Sequence, residues 1–146
     1  MRALVQRVAW AEVAVEGQTV GRIGPGLLVY VGIAPGDGPD QVRWLADKIA
    51  HLRIFEDPQG KLNLSIQDAR GGVLVVSNFT LLADARQGRR PSFIGAAPAE
   101  HARPLTDGFV AALQAAGLTV QTGLFGATMH IRSEAHGPVN VVIDTP

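Results

Sequence analysis

The chain has 146 residues, of which 47% are hydrophobic and 18% charged, and its 13 basic residues balance its 13 acidic residues. This composition excludes a disordered polyelectrolyte, and the zero net charge gives no global attraction for nucleic acid, so nucleic-acid binding would have to rest on local patches. The chain contains no cysteine, which excludes disulfides, thiolate zinc sites and cysteine nucleophiles.

The length is typical of one domain, residues 1–146, built around a single hydrophobic core. The N-terminal segment alternates apolar with polar residues and lacks the unbroken apolar stretch of a signal peptide. No apolar run approaches the ~20 residues that a membrane span needs. We therefore expect one cytoplasmic domain that makes no contact with a membrane.

The first forty residues carry the pattern of three strands. Alternation from Ala3 to Val15 predicts an extended segment, and Thr19 to Ile23 predicts its hairpin partner after a turn at Gly17-Gln18. The apolar run Leu27 to Val31 predicts a central strand that is buried on both faces. We expect these three strands to form a meander.

Two later segments have the apolar spacing of helices. Asp40 is a predicted N-cap for a helix that runs to about Arg53, with apolar residues three and four positions apart. A second helical pattern extends from Ala99 to Ala116, and Gly117 ends it. These two stripes predict two main helices that pack on one side of a sheet.

The remaining apolar segments are short and predict strands. They are Leu62–Ile66, Val73–Val76, Leu118–Gln121, Thr128–Arg132 and Val139–Asp144. This order of strands and helices predicts an α/β protein in the broad sense. More specifically, it predicts a mixed α+β fold.

The end of the strand Val73–Val76 is the strongest candidate for a reaction centre. Ser77, Asn78 and Thr80 follow it, grouped around Phe79. A hydroxyl nucleophile needs a base, and no His or Lys lies nearby in the sequence, so Ser77 and Thr80 either act as nucleophiles with a distant base or cap the strand end. A third interpretation is an oxyanion hole formed by the consecutive backbone N–H groups of Asn78, Phe79 and Thr80, with a substrate that supplies its own activating group.

An arginine-rich segment follows about ten residues later. Arg86, Arg89 and Arg90 precede the rigid Pro91. Three guanidinium groups within five residues are either solvated or available for phosphate contacts.

The dipeptide Gly137-Pro138 introduces the last predicted strand and has two interpretations. Gly-Pro commonly marks a turn. Alternatively it is a cis pair whose exposed carbonyl faces a ligand.

Sequence motifs of several common enzyme classes are missing. The chain has no G-x-S-x-G elbow, no H-E-x-x-H helix and no phosphate loop ending in G-K-[ST]. Of the four histidines, only His130 and His136 lie near each other in sequence, and two ligands do not fill a coordination shell. We therefore expect neither a metal nor a cofactor.

Four motifs occur in order at matching spacing, and they resemble those of the D-aminoacyl-tRNA deacylases. They are V-L-V-V-S-N-F-T-L in the strand ending at Ser77, G-R-R-P-S-F ending at Phe93, T-G-L-F-G-A-x-M at Thr122 to Met129, and H-G-P-V ending at Val139. The opening motifs Q-R-V and V-x-V-E-G also fit, so the resemblance covers essentially the whole chain.

The resemblance implies a barrel-like mixed β-sheet and a two-fold homodimer with its active site at the subunit interface. In such a dimer, Ser77 to Thr80 of one protomer meet Gly137-Pro138 of the other, whose carbonyls hold the substrate amino group so that an L side chain would collide with the backbone. The implied reaction is hydrolysis of the ester of D-aminoacyl-tRNA, and of glycyl-tRNA mischarged on alanine tRNA, with catalysis assisted by the ribose 2′-hydroxyl and a backbone oxyanion site near Phe79. The implied partner is tRNA, with neither DNA nor a membrane.

Two positions depart from the family pattern. Asn78 stands where the family usually has Gln, and Ala135 and Asn140 stand where it has Asn and Thr. These departures motivate an alternative hypothesis, a tRNA 3′-end binding module with impaired catalysis. His136 or Asn140 is expected to take over from the missing polar groups in fixing the Gly137-Pro138 loop.

Overall fold

The computed structural model describes residues Met1–Pro146. Its strands are β1 (Arg2–Val15), β2 (Gln18–Ile23), β3 (Gly26–Gly32), β4 (Phe55–Glu56), β5 (Leu62–Leu64), β6 (Gly72–Ser77), β7 (Thr119–Thr122) and β8 (His130–Asp144). Its helices are α1 (Pro39–Ala50), α2 (Ile66–Ala69) and α3 (Ala99–Ala115), and Phe79–Leu82 form one turn of 3₁₀-helix. The fold is mixed α+β with a nearly closed, barrel-like sheet, which confirms the predicted fold class.

Strand β1 lies at the centre of the main sheet and pairs with three other strands. On one side it pairs with β3 from Arg2 to Val8 and with β2 from Ala11 to Val15; on the other side it pairs with β8. The predicted meander is therefore wrong, because β3 pairs with β1 and not with β2. The 14-residue β1 is long enough for the short β2 and β3 to lie end to end along the same edge.

Strand β6 joins the sheet between β3 and β7 and is parallel to both. Four of its six residues, Val73–Val76, are buried, as expected for a parallel strand covered on both faces. The sheet then curls until β2 meets β7. A Cβ atom on Gly21 of β2 would lie only 2.5 Å from the Thr122 carbonyl oxygen of β7, so this contact requires glycine.

Helices α1 and α3 pack against each other over one face of the sheet, as predicted. Phe109 and Leu113 of α3 and Leu45 and Ile49 of α1 are fully buried there. The start of α1 differs from the prediction: the N-cap is Gly38, whose N–H donates to the Gln41 side chain at 3.0 Å, and Asp40 lies inside the first turn. Pro39 is the first residue of the helix, a position that suits proline because the N–H group that proline lacks would have no partner within the helix there.

Two predicted strand boundaries also change. Thr128–Arg132 and Val139–Asp144 fall in one long strand, β8, because β1 offers a pairing edge along its whole length. The strand predicted at Leu62–Ile66 ends at Leu64, because Ser65 caps α2: its Oγ accepts a hydrogen bond from the Asp68 N–H, and the Asp68 carboxylate accepts one from the Ser65 N–H.

The face of the sheet opposite α1 and α3 carries an uncovered apolar row. Leu4 of β1 pairs directly with Tyr30 of β3 and with Val142 of β8, and residues opposite each other in a ladder point to the same face. Val142 is 62% exposed, and Leu4 and Tyr30 are half-buried. None of the helices has both the length and the apolar character needed to cross a membrane.

Candidate active site

The candidate site begins where β6 ends. After Ser77, Asn78 caps the 3₁₀ turn: its side-chain Oδ1 accepts the Thr80 N–H at 3.1 Å. The Asn78 N–H donates to the Val31 carbonyl of β3 at 2.8 Å. These bonds fix the backbone between Ser77 and Thr80 at the carboxyl end of two parallel strands.

One backbone donor of this segment is free. Of the three N–H groups proposed as an oxyanion hole, Asn78 donates to Val31 and Thr80 donates to the Asn78 side chain, whereas Phe79 donates to no group of the chain. The expectation of three available donors is therefore wrong. The arrangement offers a single N–H, at Phe79, to an oxygen that gains negative charge.

The two hydroxyl groups of the segment differ in their partners. The Thr80 hydroxyl donates to Asn78 Oδ1 at 2.5 Å, and the Ser77 hydroxyl makes no hydrogen bond. No side chain positioned to take a proton from either one contacts them. A hydroxyl without a base is a weak nucleophile at neutral pH.

A cavity of about 580 Å³ lies beside Ser77, Asn78 and Phe79. Its walls are mainly apolar and include Tyr30, Val76, Ala102, Phe125, Met129 and Ile131. Tyr30 is the only residue among its lining with a titratable side chain, and burial raises the pKa of its phenol, which keeps the hydroxyl protonated at neutral pH. The cavity thus supplies shape and a dry environment but no general base.

A second cavity, of about 320 Å³, adjoins the first. Ser77, Thr106 and Phe125 line both cavities. The walls of the second cavity are more polar and include Arg103, Asp107, Gln114 and Thr122. Sequence reasoning gave none of these residues a role, although Thr122 opens one of the recognised motifs, because their approach to Ser77 depends on the packing of α3 against β6 and β7.

The three arginines of the predicted phosphate-binding segment are not equivalent. Arg86 binds the Asp84 carboxylate through two hydrogen bonds of 2.9 and 2.6 Å, and this pairing holds the pKa of Asp84 below its usual range. Arg89 and Arg90 are exposed and make no hydrogen bond or salt bridge. Two of the three guanidinium groups are therefore available to an anion.

The arginine segment is tied to the candidate site at both ends. Asp84 and Ser92 exchange two backbone hydrogen bonds of 2.8 Å, which close the segment into a loop. The ring of Phe93 then contacts the ring of Phe79 edge-on, with 5.2 Å between centroids. Phe79 remains 56% exposed, so its ring is open to a further partner.

Gly137 and Pro138 lie away from both cavities of their own chain. Residues 136–139 of β8 stand opposite the single residue Arg7 of β1, so they form an exposed bulge in the strand. The Gly137-Pro138 peptide bond is cis. At Gly137, φ is +129° and a Cβ atom would lie 2.9 Å from Val139, so this position requires glycine.

Arg7 holds this bulge from below, although sequence reasoning did not select it. The side chain is only 4% exposed, and its guanidinium donates to the carbonyls of His136 and Ile54, each at 3.0 Å. The side chains of His136 and Asn140 make no hydrogen bond, so the expectation that one of them fixes the loop is wrong. A signal was present: Arg7 shares the alternation phase of Ala3 and Val5, which are buried, and a buried arginine must have partners.

The histidines lie apart. His130 pairs with Ala14 at one end of β8, and His136 lies six residues further along the same extended strand. No group of three or more His, Asp or Glu side chains is arranged to hold a metal ion.

Comparison with known proteins places these features in a family. Residues 4–144 match the family model described as D-Tyr-tRNA(Tyr) deacylase. The chain is 56% identical over 144 residues to a protein of Heliobacterium modesticaldum and 53% identical over 145 residues to one of Thermomicrobium roseum, both named D-aminoacyl-tRNA deacylase. Each alignment covers 99% of this chain, and 96% and 94% of the relatives.

Two solved structures share the fold. One, titled c-Myc DNA Unwinding Element Binding Protein, has a TM-score of 0.94 at 35% identity and covers 100% of this chain and 99% of its own. The other, titled as a probable eukaryotic D-amino acid tRNA deacylase, has a TM-score of 0.84 at 19% identity, with 97% of each chain covered. From the family match and the relatives at more than 50% identity, this chain belongs to the D-aminoacyl-tRNA deacylases, a family of hydrolases.

Proposed function

We propose that the chain hydrolyses the ester bond between a D-amino acid and the terminal ribose of tRNA, and that of glycyl-tRNA mischarged on alanine tRNA. The products are free tRNA and the free amino acid. The observation that carries the proposal is the unpaired Phe79 N–H beside a cavity without a base. Residues 1–146 would act as one catalytic domain, in the cytoplasm, where the aminoacylated tRNA is found.

In the proposed mechanism the protein stabilises charge and the substrate moves the proton. The Phe79 N–H donates to the ester carbonyl oxygen as it becomes an oxyanion, while the ribose 2′-hydroxyl assists the attack of water. Water adds to the carbonyl carbon, the bond to the ribose oxygen breaks, and that oxygen takes up a proton. This division of work fits the absence of a base near Ser77 and Thr80.

Selection against L-amino acids is proposed to come from a second copy of the chain. Gly137 and Pro138 are exposed and line neither cavity of their own protomer, so they are free to face the cavity of another. Their carbonyls would hold the substrate amino group and place the backbone where an L side chain must go. Arg7 would keep this bulge in place.

The uncovered row Leu4–Tyr30–Val142 supports a two-fold dimer. A row of apolar side chains on an otherwise open sheet face gains stability when another apolar surface covers it. The row crosses β8, the strand that carries Gly137-Pro138, so a contact on this face would bring that pair close to the interface.

Binding of the tRNA backbone is proposed for Arg89 and Arg90. Both are exposed and unpaired, and the contact between Phe93 and Phe79 anchors their loop to the candidate site. Arg86 would support the loop through Asp84 rather than contact phosphate.

The deciding experiment compares the two enantiomers of one substrate. Purified protein is incubated with D-tyrosyl-tRNA and with L-tyrosyl-tRNA, and release of tyrosine is followed over time. We expect release from the D form at least 100-fold faster, because a backbone clash worth about 3 kcal/mol gives a ratio of this order. Equal rates on the two forms would contradict the chiral mechanism.

The same assay tests the alternative function. A tRNA 3′-end binding module would bind tRNA and release neither enantiomer, which the departures at Asn78, Ala135 and Asn140 would then explain. A filter-binding measurement on uncharged tRNA, run in parallel, separates this outcome from a protein that does not bind tRNA.

A further inference from the structure

The walls of the second cavity contain one arginine and one carboxylate, Arg103 and Asp107, and the guanidinium group of the arginine has no partner in the chain. Arg103 is exposed on α3, and it makes no hydrogen bond and no salt bridge, not even with Asp107 one turn further along the helix. Its guanidinium lies over the ring of Phe125, 5.9 Å from the centroid. Phe125 belongs to the walls of both cavities, so the free charge stands where the two cavities meet.

We propose that the second cavity binds the nucleotide that precedes the aminoacylated terminal nucleotide, with Arg103 contacting the phosphodiester group between the two. This inference rests on the proposed function, because it takes the first cavity as the place of the terminal nucleotide. An RNA end that occupies both cavities must pass Ser77, Thr106 and Phe125, the three residues that line both. The linking phosphate then lies at the boundary over which Arg103 is held.

The volumes and the polarity of the two cavities fit the assignment of the terminal nucleotide to the first cavity and of the preceding nucleotide to the second. Volumes of about 580 and 320 Å³ both lie in the range of small-molecule sites. The first is mainly apolar and suits a base that stacks on Phe125. The second presents Asp107 and Gln114 from one face of α3 and Thr122 from β7, which together can accept from and donate to the hydroxyls of a ribose and the polar edge of a base.

Arginine is well suited to the boundary position. Its planar guanidinium donates to two phosphate oxygens at once while it stacks on an aromatic ring. The contact with Phe125 restricts the side chain before the ligand arrives, so less conformational entropy is lost on binding.

A binding experiment tests the inference without requiring catalysis. Calorimetric titrations of the full chain with cytidylyl-adenosine and with adenosine measure the advantage that the additional nucleotide and phosphate give. We expect the dinucleotide to bind at least tenfold more tightly, and the variant Arg103→Gln to lose most of that advantage while it binds adenosine as before. The control is Arg70→Gln, an exposed arginine at the opposite end of β6, which should change neither affinity.

Three results would overturn the inference: no binding of the dinucleotide, equal affinity of the unmodified chain for both ligands, or equal weakening of both by Arg103→Gln. Thermal unfolding of each variant confirms that the fold is retained. The salt dependence adds an independent readout, since added salt screens an ion pair: it should weaken dinucleotide binding by the unmodified chain and have less effect on the Arg103→Gln variant.

Kinetics separates this inference from the proposed function. With D-tyrosyl esters of adenosine and of cytidylyl-adenosine, Arg103→Gln should raise KM about tenfold for the dinucleotide ester only and leave kcat unchanged. Dinucleotide binding that depends on Arg103, without hydrolysis of either ester, would reject the proposed function and leave the inference in place. If both esters are hydrolysed and Arg103→Gln changes neither KM nor kcat, the inference about the second cavity is rejected and the proposed function is retained.

Discussion

Phe79 presents two different groups to the site, an exposed ring and a backbone N–H without an acceptor. The N–H is the group that the proposed chemistry uses, whereas the ring contacts Phe93. Because substitution by most residues leaves a backbone N–H in place, alanine scanning would miss this role. Proline is the one replacement that removes the donor.

The variants Phe79→Ala and Phe79→Pro therefore separate the ring from the donor. Phe79 is the first residue of the 3₁₀ turn, where proline is tolerated, and the extended Asn78 before it suits a following proline. We expect Phe79→Pro to lower kcat at least 100-fold relative to Phe79→Ala, the cost typical of losing an oxyanion donor. Single-turnover rates on D-tyrosyl-tRNA make the comparison, and equal rates in two folded variants would show that this donor has no role in catalysis.

The sequence predicts the residues of the candidate site more readily than it predicts which of their atoms are free to bind a substrate. Ser77 to Thr80 are recognisable as a polar cluster after an apolar strand. The free donor is not, because the Asn78 N–H is occupied by Val31, a residue more than forty positions earlier that only the sheet brings close. Arg7 lies between these cases: its phase in β1 reveals burial, but its acceptors, the carbonyls of His136 and Ile54, come from distant segments.

At the scale of elements, the loop from Asp84 to Ser92 separates structural from binding arginines. Arg86 and Asp84 form a pair on the exposed surface, which contributes little net stability. Arg89 and Arg90, in contrast, form no ion pair within the protein, so their guanidinium groups are available to a ligand.

We expect the double variant Arg89→Ala, Arg90→Ala to weaken tRNA binding by about tenfold and to reduce its salt dependence, because two phosphate contacts are lost. Arg86→Ala serves as the matched control and should weaken binding by less than threefold. Filter binding at several salt concentrations measures both effects. A larger loss with Arg86→Ala would assign the phosphate contact to Arg86 instead.

The two long helices, α1 and α3, are predicted within a few residues of their observed ends, since the spacing of apolar residues and the capping groups act locally, whereas the short α2 is missed and overlaps the end of a predicted strand. The pairing of the strands, in contrast, is not predicted correctly. The pairing of β3 with β1 follows from the length of β1, and the union of two predicted strands into β8 follows from the edge that β1 offers. The Gly137-Pro138 pair, which as a sequence marks a turn, is accommodated as a bulge over Arg7 within that strand.

At the scale of the whole molecule, the proposed dimer depends on the row formed by Leu4, Tyr30 and Val142. A charge at Val142 would be buried without a partner in the assembled dimer, at a cost of several kcal/mol. We expect Val142→Glu to shift the protein from dimer to monomer in sedimentation equilibrium and to lower deacylation at least tenfold. Val20→Glu, the same change at an exposed valine of β2, should affect neither, and a fully active monomer would contradict the two-copy site.

Acid is expected to destabilise the fold through surface carboxylates. The pKa values of Asp57, Asp68, Asp84 and Asp144 are lowered by hydrogen bonds from Lys61, Ser65, Arg86 and Arg2, respectively. Because the unfolded chain regains the ordinary carboxyl pKa, it binds more protons near pH 4, so the stabilisation is present above about pH 4 and is lost as the pH falls below it. This contribution to the Tm should therefore be lost mainly as the pH falls from about 4 to 3, and the fall should be less steep in Asp144→Asn; a Tm independent of pH in this range would contradict this account.

The central position of β1 also has a consequence for how the protein is made. β1 is synthesised before every other strand, yet its pairing with β8, from Arg2 opposite Asp144 to Ala14 opposite His130, waits for the last strand to leave the ribosome. Until then one long edge of the nascent sheet is open to strands of other chains. We expect folding to be completed only after β8 has been synthesised, and to be slow for a domain of this size because its central contact joins distant segments of the chain.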